Sequence, residues 1–292
     1  MKELSYRLLN VFAEQQFGGN PLCVVEGADG LSEQLMQAIA LQFNLSETVF
    51  LQTSAQGDAR ISIFTPATEM AFAGHPSLGA AAVVSALLNG CVALTLECRA
   101  GLVPLSLEKG IWWLSPPARP ESHRCETDTG KIAAALGIGV AELAAEPVWV
   151  NTGSDQLLVS LRSAHAVRQL RPDAALFARD WPRSSLGRRT ACVFAVLPDV
   201  EQGSTQIQLR YFFERAGGGL AEDPATGSAC ANLGAWWGLQ KRQLPLQAEV
   251  HQGEQMGRPS RLYLQASADA AVRVGGKVRE IGCGRLQIDE NL

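Results

Sequence analysis

Two segments of this chain have no polar side to turn to water. Residues 76–88 (PSLGAAAVVSALL) and 228–239 (SACANLGAWWGL) are small or apolar on nearly every side. A helix without a polar face has to be enclosed all round. Each segment is therefore predicted to be the axis of its own shell. Each also follows a turn marked by glycine, EMAFAGHPSLG at 69–79 and EDPATGSACA at 222–231.

The flanking sequence supplies the shells in the same order twice. In the first half, residues 7–13, 22–26, 47–52 and 60–64 have strand composition, and 92–97, 102–107 and 111–114 follow the buried helix. Residues 31–43 carry apolar side chains at helical spacing, with Ser32 as a candidate cap. In the second half, 148–152, 156–161, 192–197 and 206–213 read as strands, with a short helix at 164–170. Strands at 249–252, 261–265 and 272–274 follow the second buried helix. PPARP at 116–120 resists both helix and central strand and marks the linker. The reading is an internal duplication, an α+β chain of two pseudo-symmetric halves, each a curled, mostly antiparallel sheet around a central helix. The expected domains are 1–118 and 119–277, with 278–292 as a tail strand that can return to the N-terminal half. A single mixed α/β domain is the competing reading, although 292 residues favour two cores.

The rest of the composition excludes classes. A net charge of −4 with no basic stripe gives nucleic-acid binding no support. No apolar run reaches the roughly 18 residues of a membrane span, and no secretory leader is evident, so the expectation is a cytoplasmic protein. The seven cysteines are scattered, odd in number and without a CxxC pair, which argues against a disulfide framework or a structural zinc site. The four histidines show no metal-ligand spacing.

Four places could carry chemistry. Gly74, His75, Pro76 and Ser77 stand at the start of the first buried helix, where first-turn amides can bind an anion. Pro76 fits the first helical position, and His75 is either a reactive group or only the cap. Asp223, Thr226, Gly227, Ser228 and Ala229 open the second helix in the same way. Asp223 is either a partner for a ligand or an N-terminal cap. Glu47 begins an apolar strand, where desolvation would raise a carboxylate's pKa toward neutrality, or it is a surface residue at a loop end. Gly18, Gly19 and Asn20 form a turn that either faces the site or merely joins two strands.

Taken together, GGNPLCVV at 18–25, NLSETVF at 44–50, TPATEMAFAGHPSLG at 65–79, EDPATGSACANL at 222–233 and GGKVREIGCGRL at 275–286 resemble the PhzF family of phenazine biosynthesis-like isomerases. The resemblance implies the diaminopimelate epimerase-like fold and a cleft site that uses neither metal nor organic cofactor. It implies Glu47 as the catalytic acid/base, accompanied by His75, Asp223 and Ser228. Asn20, Gly74, Ser77, Thr226, Gly227 and Ala229 are the expected substrate-binding residues, with a small carboxylic acid as substrate. It also implies a homodimer. The two-cysteine racemases of the same superfamily carry thiols at the helix starts, where this chain's best match has Ala73 and Ala225. The expected reaction is a proton shift within a small conjugated or cyclic carboxylic acid. The alternatives are a ligand-binding protein with an inactive cleft and a cysteine-dependent racemase using Cys230 or Cys23.

Overall fold

The computed structural model describes residues 2–116, 118–197, 204–215, 217–240 and 242–288. The chain divides into two compact units, residues 1–115 with 275–292, and residues 116–274. The first break falls three residues before the expected one.

The first unit contains β1 (Lys2–Val11), β2 (Asn20–Val25), α1 (Glu33–Phe43), β3 (Glu47–Gln52), β4 (Ala59–Phe64), β5 (Glu69–Met70), α2 (Gly74–Leu87), β6 (Ala93–Cys98), β7 (Gly101–Glu108) and β8 (Ile111–Leu114). The second contains β9 (Glu121–Arg124), α3 (Thr129–Leu136), β10 (Val148–Asn151), β11 (Asp155–Ser160), α4 (Ala164–Gln169), α5 (Ala174–Asp180), β12 (Thr190–Val196), β13 (Thr205–Glu214), β14 (Leu220–Asp223), α6 (Gly227–Leu239), β15 (Leu246–Gln252) and β16 (Ser260–Ala266). Strands β17 (Val272–Gly276) and β18 (Val278–Ile288) close the chain.

The ladders of the two units match rung for rung. In the first, β1–β2 is antiparallel, β2–β3 parallel, β3–β4 and β4–β5 antiparallel, β4–β6 parallel and β6–β7 antiparallel. In the second, β10–β11, β11–β12, β12–β13, β13–β14, β13–β15 and β15–β16 repeat that series of directions. The outer strand of each sheet is borrowed. β9, which follows the first half in sequence, pairs with β10, and β18, which follows the second half, pairs with β1.

Each sheet wraps its helix. Helix α2 packs on β1, β2, β3, β4, β6, β8 and β18, strands from the whole width of its sheet. Close approach depends on small residues. A methyl group added at Gly79 would lie 2.3 Å from Leu22 Cδ2, and one at Gly234 of α6 would lie 2.9 Å from Leu264 and Val272. The outer face of the first sheet is covered by α1, where Met36, Ile39 and Ala40 pack with Cys23, Val25, Phe50 and Phe64. Helices α3, α4 and α5 cover the second sheet through Ile132, Leu136, Val167 and Phe177. Strands β2 and β3 are thus buried on both faces and read as continuous apolar runs rather than alternating ones.

Ser32 caps α1 as expected, its hydroxyl accepting from the Leu35 amide. Strands β5, β9 and β14 and helices α3 and α5 were not foreseen; β5 has only two residues and β9 and β14 four each, too short for periodicity to register. Among the described residues no helix is long and apolar enough to cross a membrane.

Candidate active site

In the first unit, three chain segments bring their starts to one place. Parallel strands β2 and β3 begin at the same edge, with Leu22 opposite Glu47. Helix α2 lies across β2 and β3, and its first turn carries His75. Gly19, at φ +74°, turns the chain into β2; a side chain there would collide with the Val11 carbonyl. Asn20 and Pro21 follow, and Asn20 is fully buried.

The product of this convergence is a buried acid/imidazole pair. Glu47 Oε2 stands 3.2 Å from His75 Nε2, with both side chains more than four-fifths buried. Burial drives the His75 pKa down to about 3, against a smaller opposing effect from the Pro21 carbonyl, to which the ring donates an N–H. The imidazole is therefore neutral at physiological pH. With its other nitrogen protonated toward Pro21, Nε2 carries the lone pair, and that lone pair faces Glu47.

Two details of α2 differ from expectation. The helix begins at Gly74 with Ala73 as its cap, so Pro76 is the third helical residue rather than the first. Its missing N–H is still one of the amides a helix start leaves without an internal partner. His75 is the second residue and not the cap; the cap makes no side-chain hydrogen bond. The Ser77 hydroxyl donates back to the Ala73 carbonyl at 2.8 Å and is fully buried, so it braces the helix start.

The second unit builds its helix start differently. Asp223 ends β14 opposite Tyr211 of β13. Its carboxylate accepts a very short hydrogen bond from the Thr226 hydroxyl. Thr226 is in turn held by Gln252, whose Oε1 accepts from the Thr226 amide at 3.0 Å and whose Nε2 donates to the Thr226 hydroxyl at 3.0 Å and the Asp223 carbonyl at 2.7 Å. Asp223 is therefore not the cap of α6; Thr226 holds that position, and its hydroxyl is spent on orienting Asp223. Gly227, Ser228 and Ala229 form the first turn of α6. Ser228 Oγ accepts from Gln156 Nε2 at 2.9 Å.

Gln156, Gln252, Tyr211 and Asn232 were missed at the sequence level. Gln156 and Gln252 lie within segments read as plain strands. Asn232 offered a signal, as an uncharged polar residue in the middle of an otherwise apolar helix. The structural register also equates Ala73 with Thr226, since both precede the first helical residue, rather than with Ala225. Neither pairing places a thiol there. Cys230 and Cys23 are fully buried, and burial raises both thiols, that of Cys23 to about 12, which keeps them protonated. Among the described residues no three His, Cys, Asp or Glu side chains are placed to share a metal ion.

A duplicated fold with a carboxylate and an imidazole at one helix start and a hydroxyl and a carboxylate at the other resembles the class of isomerases and epimerases with the epimerase-like fold. Comparison with known proteins narrows the class. The family model described as phenazine biosynthesis-like protein matches residues 9–280. An uncharacterised isomerase of Pasteurella multocida is 40% identical over 97% of this chain and 93% of its own. The trans-2,3-dihydro-3-hydroxyanthranilate isomerase of Pseudomonas aeruginosa is 34% identical over 97% of this chain and 99% of its own. A PhzF-family phenazine biosynthesis protein of Bacillus anthracis superposes with a TM-score of 0.83 at 21% identity, covering 99% of this chain and all of the other. The fold is the epimerase-like one expected. The chain belongs to the PhzF family of phenazine biosynthesis-like isomerases.

Proposed function

We propose that this isomerase moves a proton between two carbons of a small conjugated or cyclic carboxylic acid, with Glu47 as its single acid/base and no cofactor. The observation that supports this most is the buried 3.2 Å approach of Glu47 to a neutral His75. In this reading the Glu47 carboxylate takes a proton from an acidic C–H, and the C–H electron pair enters the conjugated system. The new O–H of Glu47 finds the His75 Nε2 lone pair as its acceptor, so the proton-loaded state is favoured where it is needed. The same carboxylic acid then returns the proton at a second carbon, and nothing is consumed.

Asp223 and Ser228 bind the substrate, Asp223 by accepting from an N–H or O–H. The amides of Gly227, Ser228 and Ala229 stabilise a carboxylate or a developing enolate, as oriented donors do for charge that grows in a transition state. Gly74 and Asn20 act in the same way beside Glu47. The compound on which the Pseudomonas aeruginosa relative acts is the first to try.

The test is solvent-deuterium incorporation, followed by NMR, across cyclic conjugated carboxylates beginning with trans-2,3-dihydro-3-hydroxyanthranilate. The wild type should place deuterium on a ring carbon. Glu47→Gln should lose about 10²–10⁴ in rate, the usual worth of a positioned acid/base. A folded Glu47→Gln protein with undiminished exchange would overturn the assignment.

A further inference from the structure

We infer that Gln156 is a positioning residue that fixes the Ser228 hydroxyl as a hydrogen-bond donor, so that this helix start selects an oxyanion. Two buried amides, Asn232 and Gln156, and the buried Thr152 hydroxyl admit one set of orientations. The Ser154 backbone carbonyl can only accept, so the Asn232 atom 2.8 Å from it is Nδ2. The same Nδ2 lies 2.9 Å from Gln156, whose facing atom must be the acceptor Oε1. Asn232 Oδ1 accepts from the Thr152 hydroxyl at 2.7 Å, which closes the other end. The Gln156 amide nitrogen is thereby turned toward three oxygens: Ser228 Oγ at 2.9 Å, the Tyr211 hydroxyl at 3.1 Å and Ser154 Oγ at 3.3 Å. Ser228 is the nearest.

Asn232, Gln156 and Thr152 are 0%, 1% and 2% exposed, so water cannot stand in for a misdirected partner. Flipping Gln156 would set donor against donor at Asn232. Flipping both amides would set the Asn232 oxygen against the Ser154 carbonyl. Each arrangement strands a buried polar group that no partner can satisfy. A lone pair of Ser228 is consequently occupied from within, and its proton points outward. Three amide N–H groups at residues 227–229 share that end of α6. Ser228 and the three amides thus present protons, so the substrate group they match is a carboxylate or enolate oxygen, with the Asp223 carboxylate beside them as the acceptor.

This inference rests on the proposed function only in taking Ser228 to meet the substrate; the hydroxyl orientation stands on the network alone. Neutron diffraction from crystals of the deuterated protein locates the protons. The expected map has the deuterated nitrogen of Gln156 toward Ser228 and the serine deuteron turned away from it. A Gln156 oxygen facing Ser228, with the deuteron between them, overturns the inference whatever the fate of Glu47.

The functional arm is calorimetric binding of 3-hydroxyanthranilate from pH 5 to 9. Gln156→Glu puts an ionised acceptor where a donor stood and draws the serine proton inward. Relative to wild type, its binding should weaken at least tenfold at pH 8 and recover as acid restores a donor at that position. Gln156→Leu should weaken at every pH. Loss of equal size at all pH values in both variants marks a merely structural residue and overturns the positioning role. If the probe does not bind the wild type, the neutron map decides alone.

Discussion

Replacing Gly79 with alanine should destabilise the protein, although the same change in an exposed helix stabilises by up to about 1 kcal/mol. The added methyl group would lie 2.3 Å from Leu22 Cδ2, 3.2 Å from Val11 Cγ2 and 3.5 Å from Leu9 Cδ1. Those three neighbours are at most 2% exposed, so none can swing into solvent. Overpacking a closed core costs about 1–3 kcal/mol. Set against a helix-propensity gain of about 1 kcal/mol, the net loss is about 0–2 kcal/mol. The damage also falls on the site. His75 and Gly79 are four residues apart and share a helix face. Leu22 follows Pro21, which accepts from the His75 ring, and stands opposite Glu47 in the parallel ladder. A helix pushed off Leu22 therefore opens the 3.2 Å pair. Urea unfolding should show a lower midpoint at unchanged slope. Gly282→Ala, where an added methyl meets nothing within 4 Å, serves as the control. A midpoint raised by Gly79→Ala would refute the packing argument.

Two other outcomes are expected. The unfolded chain binds a proton at His75 near pH 6.5 and the folded chain only near pH 3, so stability should fall as pH drops through that window, by up to about 1.4 kcal/mol per pH unit, and stay flat above it; His75→Gln should flatten the slope, and an NMR titration placing residue 75 near 6.5 in the folded protein would contradict the burial account. Alkylation of the native protein, read by mass spectrometry, should label the exposed Cys283 and spare the buried Cys23 and Cys230; loss of exchange activity in step with modification of Cys230 would revive the thiol racemase.

The features that could be read from sequence were those with a strong local cause. Residues 228–239 had to be enclosed because no face was polar, and α6 starts one residue earlier than expected. Strand β3 could be placed at 47–52 without error, because an apolar run beginning with Glu47 has few other solutions. The acid/base candidates were legible because Glu47 and His75 each stand where an apolar element begins. What was hidden depends on contacts remote in sequence. Gln156 and Asn232 are 76 residues apart, and Gln252 and Thr226 are 26 apart. No window over the sequence shows that such pairs orient one another. Strand β9 was hidden for a different reason: its four residues are exposed, and only pairing with β10 makes them a strand.

The duplication explains why the two helix starts carry different chemistry in one architectural slot. His75 is the second residue of α2 and Ser228 the second of α6. Pro21 is the second residue of β2 and Gln156 the second of β11. In both units the second helical side chain bonds the second residue of the equivalent strand, through a backbone carbonyl in one and a side-chain amide in the other. Proline at position 21 leaves only an acceptor there, and an acceptor fixes the imidazole with its lone pair toward Glu47. Glutamine at position 156 presents a donor, and a donor fixes the serine with its proton outward. The two slots therefore differ in both partners, histidine on a backbone carbonyl in one and serine on a side-chain amide in the other. The second unit has no counterpart of Glu47: Leu22 pairs with Glu47 in the first, and the matching Leu157 pairs with Ala191, which has no carboxylate to load.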